Sequence, residues 1–276
     1  MRYYQIYGKI SKDFTEYEGL IYDGAYSNHI TEMKPVMLEN QTNISKEDAK
    51  KKARQILENT GEDVKIEYIN SKGESKGKID VYSFNAKYKG KDYEINIDIS
   101  KKGGFLVLLV SDREVKEKKI SEEDAENIGI EYLKKIGIDN MKATYHLVTE
   151  NMITINYAST QNNIVLYPDL IKVKITMDTG EVCSTEASGY IFNHKIRDNV
   201  TTSVSPEQAK SVLAPNIEIL SEGIAIIPNE AKSEVLTYEF KGRINGKEFL
   251  IYVNANTGKE EKVLLIINTP GGTLTM

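Results

Sequence analysis

A short helix-start motif occurs three times in this chain and constrains its fold more than any other feature. Each copy has an aliphatic residue, then a serine, then an alanine four residues after the serine, and the copies start at Ile44, Ile120 and Val204. The serine can cap a helix, while the aliphatic residue can pack on the alanine as a hydrophobic staple. The starts lie 76 and 84 residues apart. Such near-equal spacing predicts an internal repeat.

The repeat divides the chain into an N-terminal segment, 1–43, and three units at 44–119, 120–203 and 204–276. Each unit is predicted to hold one helix followed by three or four strands. Because short connections join these strands, consecutive strands are expected to pair antiparallel. The sequence therefore predicts an α+β fold of three tandem repeats, each with one helix packed on an antiparallel meander. The N-terminal segment is expected to be a partial unit that ends a truncated upstream region, with Met1 added for expression.

Glycine and proline residues set the predicted ends of the helices. The first helix is predicted over 46–59, with Gly61 as its C-terminal stop. The second is predicted over 122–135, with Gly137 in the same role. Pro215 must end or kink the short third helix, since proline lacks the backbone N–H that a helix interior needs.

The strand predictions rest on alternation and on apolar runs. At 93–99 apolar residues alternate with polar ones, which predicts a strand with one face in the core. The apolar run at 105–110 predicts a strand covered on both faces. In the second unit the last strand is predicted over 181–193, after a turn at 178–180.

Charge is distributed unevenly among the units. The chain of 276 residues has a net charge of −5, yet residues 44–119 sum to +4 and residues 120–203 to −5. The lysines of the first unit either attract an anionic surface, such as phospholipid or a cell-wall polymer, or form a solvated face. Scattered lysines in an acidic chain argue against nucleic-acid binding. No apolar run approaches the roughly 18 residues of a membrane-spanning helix.

Few side chains are candidates for catalysis or metal binding. The histidines, His29, His146 and His194, show no metal-ligand spacing, and His146 is expected to be structural or to contact a partner. Cys183 could form a nucleophilic dyad with His194, although it falls in a predicted strand without a nucleophile motif. The acids at 122–124 either bind a cation or occupy a helix N-terminus, whose dipole favours them. We expect no catalytic residue, no cofactor site and no metal site.

Several stretches resemble known families. The helix start, the meander and an aliphatic strand ending in a Thr-Gly turn, as at 175–180 and 251–258, resemble the PepSY domain family. The stretches 22–30, 189–195 and 268–276 resemble, more specifically, the YpeB-like family of spore germination proteins. The resemblance covers nearly the whole chain.

The resemblance implies a non-catalytic role. Members of the YpeB-like family act with SleB, a lytic transglycosylase that degrades spore cortex peptidoglycan, and each protects the other in the spore. This chain is therefore expected to interact with, stabilise or restrain SleB on the outer side of the inner spore membrane, in the cortex region. Membrane contact is expected only through an N-terminal anchor absent from this chain. The resemblance transfers no residue-level partner-binding site.

A second interpretation of function stays open. The chain could bind peptidoglycan directly, or act as a weak cell-wall hydrolase. Glycan hydrolysis commonly uses a pair of carboxylates. Among 41 acidic residues many pairs can be chosen, so the sequence singles out none.

Overall fold

One large, mostly antiparallel sheet dominates the fold. A computed structural model describes residues 34–229, 233–269 and 272–275, which form a 13-stranded sheet with few helices, a mixed α+β architecture. Of the predicted N-terminal segment it describes only residues 34–43, with a short 3₁₀ helix at Val36–Leu38. The stretch 22–30 therefore lies outside the described residues. Across the described ranges, no helix has the length and apolar character to cross a membrane.

Helices and strands follow one another in a regular order. The α-helices are α1 (Lys46–Leu57), α2 (Glu122–Lys135), α3 (Ser188–Asn193) and α4 (Pro206–Lys210). The strands are β1 (Ile66–Ser75), β2 (Val81–Tyr88), β3 (Glu94–Ser100), β4 (Leu106–Ser111), β5 (Met141–Thr149), β6 (Met152–Gln161), β7 (Ile164–Thr176), β8 (Val182–Glu186), β9 (Glu218–Pro228), β10 (Glu234–Ile244), β11 (Lys247–Asn254), β12 (Glu260–Thr269) and β13 (Gly272–Thr275). Helix α1 precedes β1–β4, α2 precedes β5–β8, and α4 precedes β9–β12.

The three predicted helix starts are confirmed by their caps. The Oγ atoms of Ser45, Ser121 and Ser205 accept hydrogen bonds from the backbone N–H three residues later, at 3.1, 3.0 and 3.3 Å. In the third copy Gln208 Oε1 also accepts from the Ser205 N–H at 2.9 Å, which completes a capping box. The aliphatic residue and the alanine of each copy lie in one core cluster, as a staple requires.

The predicted helix ends are right at α2 and wrong at α1. Gly137 follows α2 with a φ of 86°, the left-handed conformation that suits a C-terminal glycine. Helix α1 ends before Gly61, because neighbouring side chains bond its last carbonyls. Asn59 Nδ2 donates to the carbonyl of Gln55 at 2.8 Å, and Thr60 Oγ1 donates to that of Leu57 at 3.0 Å.

Pro215 does not end the third helix. Helix α4 stops at Lys210, and the Ser211 hydroxyl donates to the Gln208 carbonyl at 2.7 Å. This side-chain bond satisfies a terminal carbonyl that the next turn of helix would otherwise satisfy. The chain has therefore left the helix before it reaches the proline.

The predicted strand at 181–193 is wrong in its second half. Strand β8 ends at Glu186, and residues 188–193 form helix α3. The apolar side chains of this helix, Tyr190 to Phe192, are buried. A short apolar run is ambiguous between a strand and a buried helix, and here packing against the sheet decides for the helix.

The three meanders join edge to edge in a single sheet. Its order is β1-β2-β3-β4-β8-β7-β6-β5-β13-β12-β11-β10-β9. Strand β7 also pairs in parallel with β9, where Ile164–Leu166 lies beside Ile224–Ile226. This second pairing closes the strands β5–β7 and β9–β13 into a ring. The prediction of separate meanders did not include these joins.

Most of the core lies between the helices and one face of the sheet. Helix α1 packs on its own meander, α2 on the next, and α4 on the third, while a fourth apolar cluster lies between β5–β7 and β9–β12. The alternation at 93–99 is confirmed, since Tyr93, Ile95, Ile97 and Ile99 are all buried. The run at 105–110 is covered less than predicted, because Val110 is 40% exposed on the opposite face.

Leu57 is the large α1 side chain that is fully buried, at 0% exposure. Leu57→Ala should lower the free energy of unfolding by about 2–5 kcal/mol, because truncation leaves a cavity in a packed core. Urea unfolding followed by circular dichroism measures the loss. Leu220→Ala is the matched control, since Leu220 is 36% exposed. It should cost under about 1 kcal/mol, and equal losses for the two variants would contradict the core position of Leu57.

Gly129 in α2 leaves room for a buried tyrosine. A Cβ at this position would lie 2.0 Å from Tyr157 Oη, which donates to the Glu126 carbonyl at 2.9 Å. Alanine normally stabilises a helix relative to glycine, yet Gly129→Ala should destabilise this chain by about 1–3 kcal/mol through overpacking. Gly223→Ala has no atom within 4 Å of the new methyl and should change little. Thermal unfolding compares the two, and a stabilised Gly129→Ala would refute the close contact.

Candidate functional site

The two connections between units each carry a buried arginine at the same position. Arg113 lies eight residues before the capping Ser121, and Arg197 lies eight residues before the capping Ser205. The two arginine side chains are 9% and 5% exposed. A buried guanidinium needs carboxylate partners. Each arginine pairs with at least one carboxylate of the next unit.

Arg113 follows β4 and holds the turn between β7 and β8. Its Nη2 lies 2.7 Å from Asp178 Oδ2, and its Nη1 donates to Thr176 Oγ1 and Thr179 Oγ1, each at 3.0 Å. Glu181 Oε2 lies 3.3 Å from the same Nη1. One side chain of the first unit thus fixes a turn of the second.

Tyr93 joins this cluster from the residue before β3. Its hydroxyl donates to the Glu181 carboxylate, whose oxygens lie 2.6 and 2.8 Å away, and the Arg113 guanidinium carbon lies 5.8 Å from the centre of its ring. Burial and the Glu181 carboxylate raise the pKa of Tyr93 above its ordinary value. The phenol therefore remains a donor at neutral pH, and the three side chains form one hydrogen-bonded cluster.

Arg197 makes two paired interactions at the second connection. Its Nη1 and Nη2 donate to Asp169 at 2.9 and 2.7 Å, and its Nε and Nη2 donate to Glu234 at 2.9 and 2.6 Å. Asp169 lies in β7 at 0% exposure, while Glu234 begins β10. Burial disfavours the charged guanidinium, but the hydrogen bonds that it donates to Glu234 and Asp169 outweigh this effect and raise the pKa of Arg197. Paired hydrogen bonds of this kind fix the relative orientation of the guanidinium and the carboxylate as well as the distance between them.

The stretch 189–195 supports the same connection. It contains most of α3, which packs on β7, and it ends beside the arginine. His194 Nδ1 lies 2.9 Å from Asp169 Oδ2, and its ring stacks on Tyr190 with the ring centres 4.1 Å apart. His194 therefore has a structural role at this connection.

His146 connects β5 to α2. Its Nε2 lies 3.0 Å from Glu122 Oε2, and its Nδ1 lies 3.1 Å from Glu126 Oε1. The hydrogen bond from Lys118, at 3.2 Å, lowers the pKa of Glu122, with a smaller contribution from His146 and against the effect of burial. Glu122 at the start of α2 is thus paired with side chains of the protein itself, which favours the helix N-terminus interpretation of the acids at 122–124.

The structure does not bring Cys183 and His194 together. Cys183 Sγ lies 3.8 Å from Met152 Sδ and 3.5 Å from the Lys174 carbonyl oxygen, and the residue is 2% exposed. Burial raises the pKa of the Cys183 thiol to about 11, so at neutral pH it is not the thiolate that nucleophilic attack requires. Among the described residues, no group of three or more His, Cys, Asp or Glu side chains is arranged to hold a metal ion.

A cleft of about 530 Å³ opens between α1 and α2. Residues just beyond α1 form one wall and a face of α2 forms the other. Its charged lining residues are Glu58, Glu62, Glu131 and Lys135. Thr179, from the turn that Arg113 holds, also lines the cleft. The first arginine connection therefore contacts a residue that lines this cleft.

Two family models match this chain. The model described as "YpeB sporulation, PepSY1 and PepSY2 domains" matches residues 5–200, and the model described as "Peptidase propeptide and YPEB domain" matches residues 203–264. The chain belongs to the YpeB sporulation protein family. The resemblance inferred from the stretches 22–30, 189–195 and 268–276 is thereby confirmed.

Curated YpeB relatives support this assignment. The chain is 34% identical over 220 residues to the sporulation protein YpeB of Bacillus subtilis, covering 79% of this chain and 49% of that protein. It is 29% identical over 217 residues to YpeB of Halalkalibacterium halodurans, covering 76% and 48%. The chain therefore spans about half the length of the curated relatives it matches.

A solved YpeB structure has the same fold. The Bacillus megaterium YpeB C-terminal domain superposes with a TM-score of 0.71 at 32% sequence identity, covering 82% of this chain and 99% of that domain. The described residues of this chain therefore correspond to the C-terminal domain of a YpeB protein.

The arginine clusters of this YpeB chain were missed by sequence reasoning. The sequence does contain one indication of them. Of the five arginines in the chain, two lie at the same distance, eight residues, before a capping serine. No sequence pattern indicated Asp169 or Glu234 as partners, because both are distant from Arg197 along the chain. The acids that sequence reasoning did consider, at 122–124, belong to neither cluster.

Removal of the Arg197 guanidinium should destabilise the chain strongly. Arg197→Leu leaves the Asp169 carboxylate buried without its main partner, which should lower the free energy of unfolding by about 3–5 kcal/mol. Adding Asp169→Asn removes the buried charge and should recover part of that loss. Arg243→Leu is the matched control, since Arg243 also bonds two glutamates but is 41% exposed, and it should cost under about 1 kcal/mol. Urea unfolding would contradict the argument if the two arginine variants lost equal stability.

Proposed function

We propose that this chain is a non-catalytic scaffold that holds, stabilises or restrains the cortex-lytic enzyme SleB during spore germination. Membership of the YpeB family supports a role in spore germination. The observation that carries the scaffold role is that buried ionic groups join one unit to the next. Arg113 with Glu181, and Arg197 with Glu234, connect successive units, and their bonds hold the units in one arrangement.

We also propose that the units 44–119, 120–203 and 204–276 are three PepSY repeats. Each contains a capped helix followed by at least four antiparallel strands, which supports their equivalence. The descriptions of the matching family models name PepSY1 and PepSY2 domains for 5–200 and a further YPEB domain for 203–264. Repeated units joined in fixed orientation present a long continuous surface, the usual basis of partner binding in repeat proteins.

The proposed location follows from the proposed partner. A scaffold for a cortex-lytic enzyme would work on the outer side of the inner spore membrane, next to the peptidoglycan that the enzyme degrades. Direct binding of peptidoglycan is the second candidate function, and an assay with cortex fragments distinguishes it from the scaffold role.

Co-elution of the purified chain with SleB in size-exclusion chromatography tests the proposal. We expect a complex whose amount falls several-fold with Leu57→Ala, because loss of the α1 core opens the first unit, and stays unchanged with the exposed-site control Leu220→Ala. Failure of the wild-type chain to co-elute would overturn the scaffold proposal. Normal binding by a protease-sensitive Leu57→Ala variant would place the partner on another unit.

A parallel assay separates the scaffold from the alternatives. The chain alone, incubated with purified cortex fragments, should neither be retained by muropeptides nor release reducing sugar. Retention without SleB would favour a peptidoglycan-binding module. Cortex lysis by the chain alone, abolished by one Asp, Glu or Cys substitution, would show a wall hydrolase and refute the absence of catalysis.

A further inference from the structure

Ile196 is the most exposed large hydrophobic residue in the described part of the chain. It is 78% exposed, whereas the next in order, Val212, is 47% exposed. It lies in the connection between α3 and α4, directly before the buried Arg197. A single exposed apolar side chain is common on protein surfaces. What distinguishes Ile196 is that the backbone on both sides of it is fixed.

Hydrogen bonds hold both peptide groups that flank Ile196. The Lys195 carbonyl accepts a hydrogen bond from Arg197 Nη1 at 3.0 Å. The Arg197 N–H donates to Gln161 Oε1 at 3.0 Å, and Gln161 Nε2 donates to the Arg197 carbonyl at 2.6 Å. Because each peptide group is planar, the two groups beside Ile196 set its φ and ψ angles. These bonds therefore fix the direction in which the isoleucine side chain leaves the backbone.

The side chains that make these bonds are themselves anchored in the sheet. Gln161 is the last residue of β6, and the Arg197 guanidinium is paired with Asp169 of β7 and Glu234 of β10. The loop around Ile196 is therefore attached to three strands. An isoleucine also has few χ1 rotamers, because its side chain branches at Cβ. The result is an aliphatic side chain that stands in solvent with little conformational freedom.

A side chain fixed in this way is suited to binding a protein. Association costs free energy because side chains and loops become ordered, and a group that is already ordered avoids much of that cost. An aliphatic side chain gains affinity when an apolar pocket of a partner removes it from water. A glycan strand has no such pocket. The cleft between α1 and α2 of a second copy is lined by four charged side chains, which suit a polar ligand better than an isoleucine.

We propose that Ile196 is an anchor residue that inserts into an apolar pocket of a protein partner. This assignment rests on the proposed scaffold function, and the partner is the cortex-lytic enzyme of that proposal. The surface of a repeat scaffold extends over all its units, so this contact beside the second arginine connection adds to contacts of the first unit. Arg197 then has two effects, since the same side chain joins two units and positions the isoleucine.

Binding of purified SleB to the chain, measured as a dissociation constant by biolayer interferometry, tests the anchor. Ile196→Ala should raise the dissociation constant about tenfold or more, as truncation of a buried anchor residue does. Its thermal unfolding temperature should stay unchanged, because the side chain is exposed in the free protein. Val212→Ala is the matched control, since Val212 is also an exposed branched residue, in the turn after α4, and it should bind as the wild type does.

A second variant tests the fixed backbone separately from the isoleucine. Gln161→Met keeps the length of the side chain but loses both bonds to Arg197. It should raise the dissociation constant about two- to fivefold, because the loop around Ile196 must then become ordered on binding. Wild-type affinity of this variant would refute the contribution of the fixed backbone.

The outcomes separate this proposal from the scaffold function. Unchanged affinity of Ile196→Ala, with the wild-type chain bound, would overturn the anchor and leave the scaffold standing, whereas absence of wild-type binding would overturn both. Equal losses for Ile196→Ala and Val212→Ala would indicate a nonspecific apolar contact and would also overturn the anchor. Light scattering tests for a second copy: a wild-type dimer that Ile196→Ala converts to monomers would overturn the choice of partner.

Discussion

Strand β7 is the element on which the rest of the sheet depends. Its 13 residues pair with β6 along one edge, while the other edge pairs with β8 in its second half and with β9 in its first. Strand β7 therefore joins the second unit to the third, and its neighbour β8 pairs with β4 of the first unit. The ladder with β6 is irregular where Ser159 faces Leu166 and Ala158 faces Leu170. This irregularity leaves the residues between them, including Asp169, free of the ladder, and strand bulges commonly redirect side chains in this way.

Buried ion pairs then fix how the units sit on that strand. Removing two charges from water is costly, and a buried pair is weak evidence for net stability by itself. What Arg197 contributes is geometry, because its guanidinium can satisfy Asp169 and Glu234 together in only a narrow range of orientations. Arg113 constrains the first and second units in the same way. The same position before a helix cap therefore serves the same purpose twice.

The helices and the ionic connections have different consequences for function. The caps and apolar stripes make each unit fold locally, whereas the connections join successive units, and the first of them holds the turn that contributes Thr179 to the cleft beside α2. For a scaffold, a fixed spacing between units is the property that a partner would recognise. His146 adds a side-chain contact between β5 and α2.

The sequence by itself determined the local structure. Capping chemistry and the alternation at 93–99 act over a few residues, so the helix starts and that strand could be inferred without the fold, and the family could be recognised from short stretches. Tertiary structure alone decided what long-range contacts control. The merging of the meanders, the helix at 188–193 and the pairing of Arg197 with Asp169 depend on residues far apart in the chain, whose approach no local pattern encodes. A strand edge or a buried charge can be satisfied by many partners, and only the packed fold selects one.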